Sequence, residues 1–196
     1  MKGTAKRVTT SPEPTEHQPI VVLSSRVVYQ NPWMQVREDE TIRAGGKGIY
    51  GVIETNDSVA ICAINDQHEL YLIYGYNYPS NTWTWQVPGG GTDGEDPIAA
   101  ARRELKEETG ISAQRFETVG ALLATRGLLR ESRSIVIATG LKHGARALTD
   151  DNDSIREGKF FSLPDVKRLI KDGSVCDSLS VSEIYFAEEW INNHGN

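Results

Sequence analysis

The sequence predicts an α+β fold, a mixed sheet with few helices. Short runs of β-branched and aromatic residues succeed one another between Ile20 and Phe161, separated by Gly, Pro, Asn and Asp. A single long stretch with helix signals at both ends, residues 97–109, interrupts them, and the remaining helical patterning gathers after residue 162. The length of 196 residues with 38% hydrophobic content suits one domain of ordinary size with some additions.

Taken in order, residues 1–19 are polar, carry Pro12, Pro14 and Pro19, and read as a disordered tail. Residues 20–56 form an N-terminal antiparallel β-segment with strands at 21–23, 26–29, 34–36 and 50–53, and Gly45-Gly46-Lys47-Gly48 marks a turn. This segment is too small to fold alone and is expected to pack on the main domain or on a second subunit. The main domain spans 57–196. It opens with a strand–turn–strand, 58–64 and 69–74, joined by Asn65-Asp66-Gln67-His68. A strand at 83–87 is ended by Pro88 and three glycines. Asp96 is a fitting N-cap with Pro97 at the first helical position, and Gly110 fits just past the helix end. Strands follow near 116–124, 134–139 and 158–161, then a helix from Ser162 to about Ile170. Ser180-Val181-Ser182-Glu183 reads as a capping box for a last helix whose apolar positions are Val181, Ile184, Tyr185, Ala187 and Ile191.

Charge and cysteine content narrow the classes. Twenty-one basic against 27 acidic residues give a net charge of −6 with no basic stripe, which argues against duplex nucleic acid as main partner. Cys62, inside an apolar strand, reads as a buried thiol, and with Cys176 as its one companion there is no disulfide framework or zinc site. No apolar run approaches the ~20 residues of a membrane span, and the N-terminus lacks a signal-peptide core, so a reducing cytoplasmic setting is expected. The four histidines, His17, His68, His143 and His194, form no cluster. Asp150, Asp151 and Asp153 lack the glycine and distal glutamate of a calcium loop and read as a solvated turn. Gly89-Gly90-Gly91 lacks the Lys-Ser/Thr of a P-loop.

The segment that carries chemistry is 89–111, GGGTDGEDPIAAARRELKEETGI. Glu104, Glu107 and Glu108 fall on one stripe of the predicted helix at ~100° per residue. Like charges ~5 Å apart repel by roughly 3 kcal/mol at an effective dielectric of ~20. Glu107 and Glu108 also sit in the last turn, where the helix dipole disfavours negative charge. A solvated acidic face is the bland reading of such a run; a hard divalent cation held by the oxygens would resolve the conflict. Carboxylates, a cation and a glycine-rich turn together suit attack of water on a diphosphate.

Gly89, Glu95, Arg103-Glu104-Leu105, Glu107-Glu108 and Gly110-Ile111 fill every fixed position of the box of the Nudix hydrolase family, which the chain resembles. The resemblance implies a mixed sheet sandwiched between helices, with the box as loop–helix–loop. It also implies Mg²⁺, with Mn²⁺ as the substitute, held by Glu104 and Glu108, then Glu107, and by the Pro88 carbonyl just before the box. Arg103 corresponds to the box arginine that orients the glutamates, its spacing to Glu107 also being that of a helical ion pair, and Glu95 to a support of the loop–helix junction. Asn31-Pro32-Trp33, Tyr50, 72–79 and Trp85-Gln86-Val87-Pro88-Gly89-Gly90 are spaced as in the ADP-ribose and nucleoside-diphosphate-sugar pyrophosphatase branch, so the resemblance spans about 20–190. That branch implies a homodimer built through the N-terminal β-segment, and a nucleobase stacked on Trp33 and Tyr50 unless these are core or interface residues.

Two departures bear on the substrate. Asn77 stands where relatives often have an arginine, and Thr125–Leu129 lacks the proline many ADP-ribose cleavers place there. Arg126, Arg130 and Arg133 offer phosphate contacts by another route. Glu131 matches the loop glutamate that activates water in this branch; an exposed glutamate flanked by arginines is its alternative. The expected activity is metal-dependent hydrolysis of a nucleoside diphosphate linked to a sugar or similar group, giving a nucleoside monophosphate and a phosphorylated moiety. A nucleotide sensor without turnover, or a hydrolase of nucleoside triphosphates, dinucleoside polyphosphates or capped RNA, are the alternatives. The base, the sugar, the phosphorus attacked and the number of metals stay open.

Overall fold

The computed structural model describes residues 19–144 and 154–194. The expected tail, except Pro19, and the aspartates at 150, 151 and 153 lie outside the described residues, as does His17. The chain divides into two compact units, one up to Asn56 with Thr125–Glu131, the other Asp57–Ala124 with the residues from Ser132 onward.

In the first unit, β1 (Val21–Gln30), β2 (Met34–Arg43) and β3 (Gly46–Thr55) form an antiparallel meander. The two short strands expected at 21–23 and 26–29 are one strand: Ser24 and Ser25 pair in register with Glu40 and Asp39, and the register shifts fall at Leu23 and Val28. Asn31 closes the first connection, its Oδ1 accepting from the N–H groups of Trp33 and Met34 at 2.9 and 2.8 Å. The second turn is shorter than its glycine content suggests, since Lys47 and Gly48 already belong to β3. Asp39, buried in β2, is satisfied by Ser25 and by the Arg37 guanidinium. The first residues of β9 (Leu129–His143) run parallel to β3, with Leu129 and Arg130 opposite Ile53 and Glu54.

The second unit is a layered α+β structure. Every residue of β4 (Ser58–Ala63) is buried, which accounts for its unbroken apolar run. It pairs parallel with β9, Ser58 opposite Arg133 through Ala63 opposite Ala138, and antiparallel with a short strand β7 (Gly89–Gly91). β8 (Ile111–Thr125) flanks β9. A second sheet orders β10 (Ile155–Phe161), β5 (Leu70–Asn77) and β6 (Thr82–Gln86), all antiparallel.

Alternation along β4 distributes its side chains to two cores. Ala60, Cys62 and Ile64 join Leu70, Leu72, Trp85, Ile135 and Ile137 under α2 (Leu163–Lys171) and α3 (Ser178–His194), through Val166, Ile184, Ala187 and Ile191. Val59, Ile61 and Ala63 join Ile73, Ile111 and Val136 under α1 (Pro97–Thr109), through Ala100, Ala101 and Leu105. Burial, and next the charge of Glu183, push the Cys62 thiol far up, so it stays a protonated core residue.

The expected strand–turn–strand is present as β4 and β5, joined by one bridge, Ile64 to Leu70, before they enter different sheets. Asn65 redirects the chain there, accepting from the N–H groups of Gln67 and Glu69, with His68 at φ 58°. The glycine run is not only a loop, because Gly89–Gly91 pairs with β4. Ser180 and Glu183 do not cap α3. The helix begins at Ser178, Asp177 accepts from the Ser180 N–H at 2.7 Å, and both residues of the supposed box are buried, whereas Val181 and Tyr185 are 37% and 58% exposed. No helix among the described residues is long and apolar enough to cross a membrane.

Candidate metal and diphosphate site

The ends of α1 are built as its residues dictate. Asp96 accepts from the N–H groups of Ile98 and Ala99, Pro97 needs no partner at the first position, and Gly110 closes the helix at φ 73° with its N–H on the Lys106 carbonyl. Ala100, Ala101 and Leu105 face the core, and at ~100° per residue Glu104 and Glu108 fall between them on the same side of the helix, against the glycine strand. Two consecutive glycines each meet one carboxylate. The Gly89 N–H donates to Glu108 Oε2 at 2.8 Å. The Glu104 carboxylate lies on Gly90 so closely that a Cβ there would stand 2.5–2.6 Å from its Cδ and both oxygens.

Arg103 ties this cradle together. Its Nη1 donates to Glu104 Oε1 at 2.5 Å and to Glu107 Oε2 at 3.3 Å, its Nε to Glu95 Oε2 at 3.0 Å, and its Nη2 to the Gly91 carbonyl at 2.9 Å. The helical Arg103–Glu107 pair and the Glu95 brace at the loop–helix junction are both present. Burial works against the Arg103 charge, yet hydrogen bonds and the charges of Glu104 and Glu95 outweigh it and hold the guanidinium firmly protonated. Burial raises the Glu104 carboxyl above the usual range; Arg103 opposes this, while Glu107 and Asp93 add to it. The sign is that of a group better tolerated neutral in the folded chain. Its contribution to stability is complete below the unfolded value and is lost as pH rises through the raised one.

Such an arrangement fits a hard divalent ion in its donors: partly buried carboxylate oxygens of one helix, with main-chain oxygens of a glycine strand beside them. Among the described residues no three acidic, histidine or cysteine side chains have converged on one point, because Arg103 engages Glu104 and Glu107 while Glu108 is held on Gly89.

The other expected site residues fall as follows. The Pro88 carbonyl accepts from the Ile61 N–H at 2.8 Å. Asn77 closes its own turn, with Oδ1 accepting from Ser80 N and Oγ at 3.2 and 2.9 Å. In the first unit, Trp33 is 76% exposed, which excludes a core role within this chain, and the Tyr50 hydroxyl donates to the Gly127 carbonyl at 2.9 Å. Arg126 is exposed beside Gly127, which takes φ 88°, and Glu131 lies half-buried on β9 rather than in an exposed loop. Arg130 approaches Glu54 at 3.6 Å. Arg133, grouped in sequence with these loop arginines, belongs to the second unit and pairs with Glu183. Sequence reading missed that pair, since Glu183 carries the signature of a helix cap. A cleft of about 490 Å³ lined by Asn65, Asp66, His68, Arg115, Glu117 and Trp190 opens near the end of β4 remote from the glycine strand and holds none of the expected residues.

The structure is thus a helix-covered mixed sheet that seats an acid-striped helix on a glycine strand. The chain belongs to the Nudix family: the NUDIX domain model matches residues 54–177, and the nucleoside diphosphate sugar hydrolase N-terminal domain matches residues 20–53. Family membership makes it a divalent-metal-dependent pyrophosphohydrolase. It is 26% identical over 166 residues to an ADP-ribose pyrophosphatase of Mycobacterium tuberculosis, covering 83% of this chain and 80% of that protein. A methanol dehydrogenase activator of Bacillus methanolicus is 26% identical over 168 residues, covering 85% and 88%. A crystal structure of an ADP compounds hydrolase shares the fold with a TM-score of 0.80 at 24% identity, over 93% of this chain and 99% of the other.

Proposed function

We propose that the protein hydrolyses the diphosphate of a nucleoside diphosphate linked to a sugar or similar group, ADP-ribose-like, releasing a nucleoside monophosphate and a phosphorylated moiety. The observation that carries this reading is the seating of Glu104 and Glu108 on adjacent glycines of one strand. The match of residues 20–53 to a nucleoside-diphosphate-sugar hydrolase segment, and the name of the Mycobacterium relative, support the substrate class.

In this reading Glu104, Glu108 and Glu107, with the second lone pair of the Pro88 carbonyl, hold Mg²⁺ or Mn²⁺. The ion supplies charge neutralisation on the diphosphate and Lewis-acid activation of water. Arg103 orients the glutamates and balances their charge until then. Gly89 and Gly90 meet the diphosphate through their main chain, their missing side chains making room for β4 and for Glu104. Glu131 takes the proton of the attacking water, Trp33 and Tyr50 stack the base, and Asn77 and Arg126 contact the polar remainder. A panel of nucleoside diphosphate sugars, triphosphates and dinucleoside polyphosphates assayed with each metal tests the proposal. Nucleoside monophosphate released fastest from the diphosphate sugars is the expected result. Thermal stabilisation by these compounds without product would replace the enzyme with a binding module.

We further propose that residues 20–56 serve as a dimerisation and substrate-contact segment beside a catalytic domain of residues 57–196. All ten residues of β1 are exposed, including Val22, Leu23, Val27, Val28 and Tyr29, at the open edge of its meander. An apolar edge strand of that length is a template for a second chain. Val28→Glu is expected to shift the light-scattering mass from two chains to one chain of 21.7 kDa; an unchanged mass rules this surface out.

A further inference from the structure

We infer that the buried Arg133–Glu183 pair is a positioning device for the glycine strand, one that aims Glu108; the inference rests on the metal reading above. Glu183 is fully buried on α3 and its Oε1 accepts from Arg133 Nε at 2.5 Å, the Arg133 side chain being 15% exposed. The guanidinium continues past the pair. Nη1 donates to Ser58 Oγ at 3.2 Å, and Nη2 lies against Gly89, where a Cβ would stand 3.0 Å from it. Gly89 is the residue whose N–H holds Glu108.

The same helix also holds the link that leads into the strand. Ser180, one turn before Glu183, accepts the Val87 N–H on its hydroxyl at 3.3 Å. Residues 87–89 thus meet α3 twice, directly by the Val87 hydrogen bond and by the packing of Arg133, itself held by α3, on Gly89. Stability alone gives little reason for the pair, because apolar residues of similar volume often replace buried ion pairs at no cost or with gain. The planar guanidinium does something those residues cannot: it bonds α3 and the start of β4 at set angles while its Nη2 rests on the glycine strand. A carboxylate held by a main-chain N–H is aimed only as well as that N–H is fixed. Arg133 and Glu183 therefore act on the site through Gly89 without touching the ion or the substrate.

The test uses the full chain, Mn²⁺ alone as probe, and no turnover. Wild type, Glu108→Gln, Arg133→Lys, and the double variant Arg133→Met with Glu183→Leu are titrated with Mn²⁺ by electron paramagnetic resonance, and hydrogen exchange of the Gly89 amide is followed. Expected is a fall in Mn²⁺ affinity of roughly tenfold or more in the double variant and in Arg133→Lys. Gly89 exchange should quicken selectively in both, with thermal midpoints near wild type. Affinity and Gly89 exchange that stay at wild-type values in either variant overturn the positioning role. So does exchange quickening uniformly across the unit, the mark of a general packing role. Should the double variant not fold, Arg133→Lys, which keeps the charge and loses the fork, decides alone. Wild type failing to bind Mn²⁺, or Glu108→Gln binding it unchanged, removes the metal reading and the inference with it, a result distinct from loss in the Arg133 variants only.

Discussion

Replacing Glu108 with Gln is expected to lower metal-dependent turnover by roughly 10²–10³-fold while the protein stays folded, taking several kcal/mol of ion-mediated stabilisation at about 1.4 kcal/mol per tenfold. Glutamine keeps an amide oxygen that can accept the Gly89 N–H, so the contact at 2.8 Å has a neutral substitute. What it removes is the charge. Next to Glu104 and Glu107 that loss relieves repulsion in the ion-free chain, so the unfolding midpoint is expected to stay or rise slightly. Activity and stability therefore move apart, which a general disruption of the helix would not produce. Steady-state kinetics with saturating metal, alongside a thermal melt, checks both halves; full turnover in this variant refutes the assignment of Glu108.

Gly89→Ala is expected to act on the fold itself. A Cβ there would lie 2.2 Å from the Val59 carbonyl oxygen and 3.1 Å from Ala60 Cα, both main chain and both on the fully buried β4. Nothing flexible can yield, so the Ala60–Gly89 pairing must open and the strand must move away from the sheet. The expected cost is roughly 1–3 kcal/mol, the range for inserting atoms into packed interiors, with loss of activity. Gly90→Ala forms a control one residue away. The atoms nearest its Cβ are the far end of Glu104, which can swing aside, so stability is expected to hold while metal-dependent turnover falls. Urea unfolding of the two variants separates these outcomes, and an unchanged midpoint for Gly89→Ala would contradict the close packing described here.

Much of the site was legible because its signals are local. Asp96, Pro97 and Gly110 fix the ends of α1 from within a few residues, and the spacing of Arg103, Glu104, Glu107 and Glu108 places them on one stripe without help from the rest of the chain. The alternation and caps of the main domain likewise give the fold class. What escaped reading depends on distant partners. Arg133 and Glu183 are 50 residues apart, and a glutamate three residues after a serine looks the same whether it caps a helix or enters a core. Gly89–Gly91 has no side chains with which to display a strand period, so its pairing with β4 left no trace in sequence. Asn65–His68 marks the turn between β4 and β5, but that the two strands enter different sheets is set by distant partners, β9 for β4 and β10 for β5. In β1, the serines suggested an interruption where the backbone stays paired with β2.

The alternating placement of β4 side chains into two cores has a consequence for how the second unit fails under heat. One strand supplies Cys62 to the first and Ile61 to the second, so neither hydrophobic cluster can melt while the other survives. Denaturation of that unit is then all-or-none. The glycine strand, hydrogen-bonded along the same β4, shares that fate, and warming switches the cradle off abruptly together with the whole unit instead of letting it fray in advance.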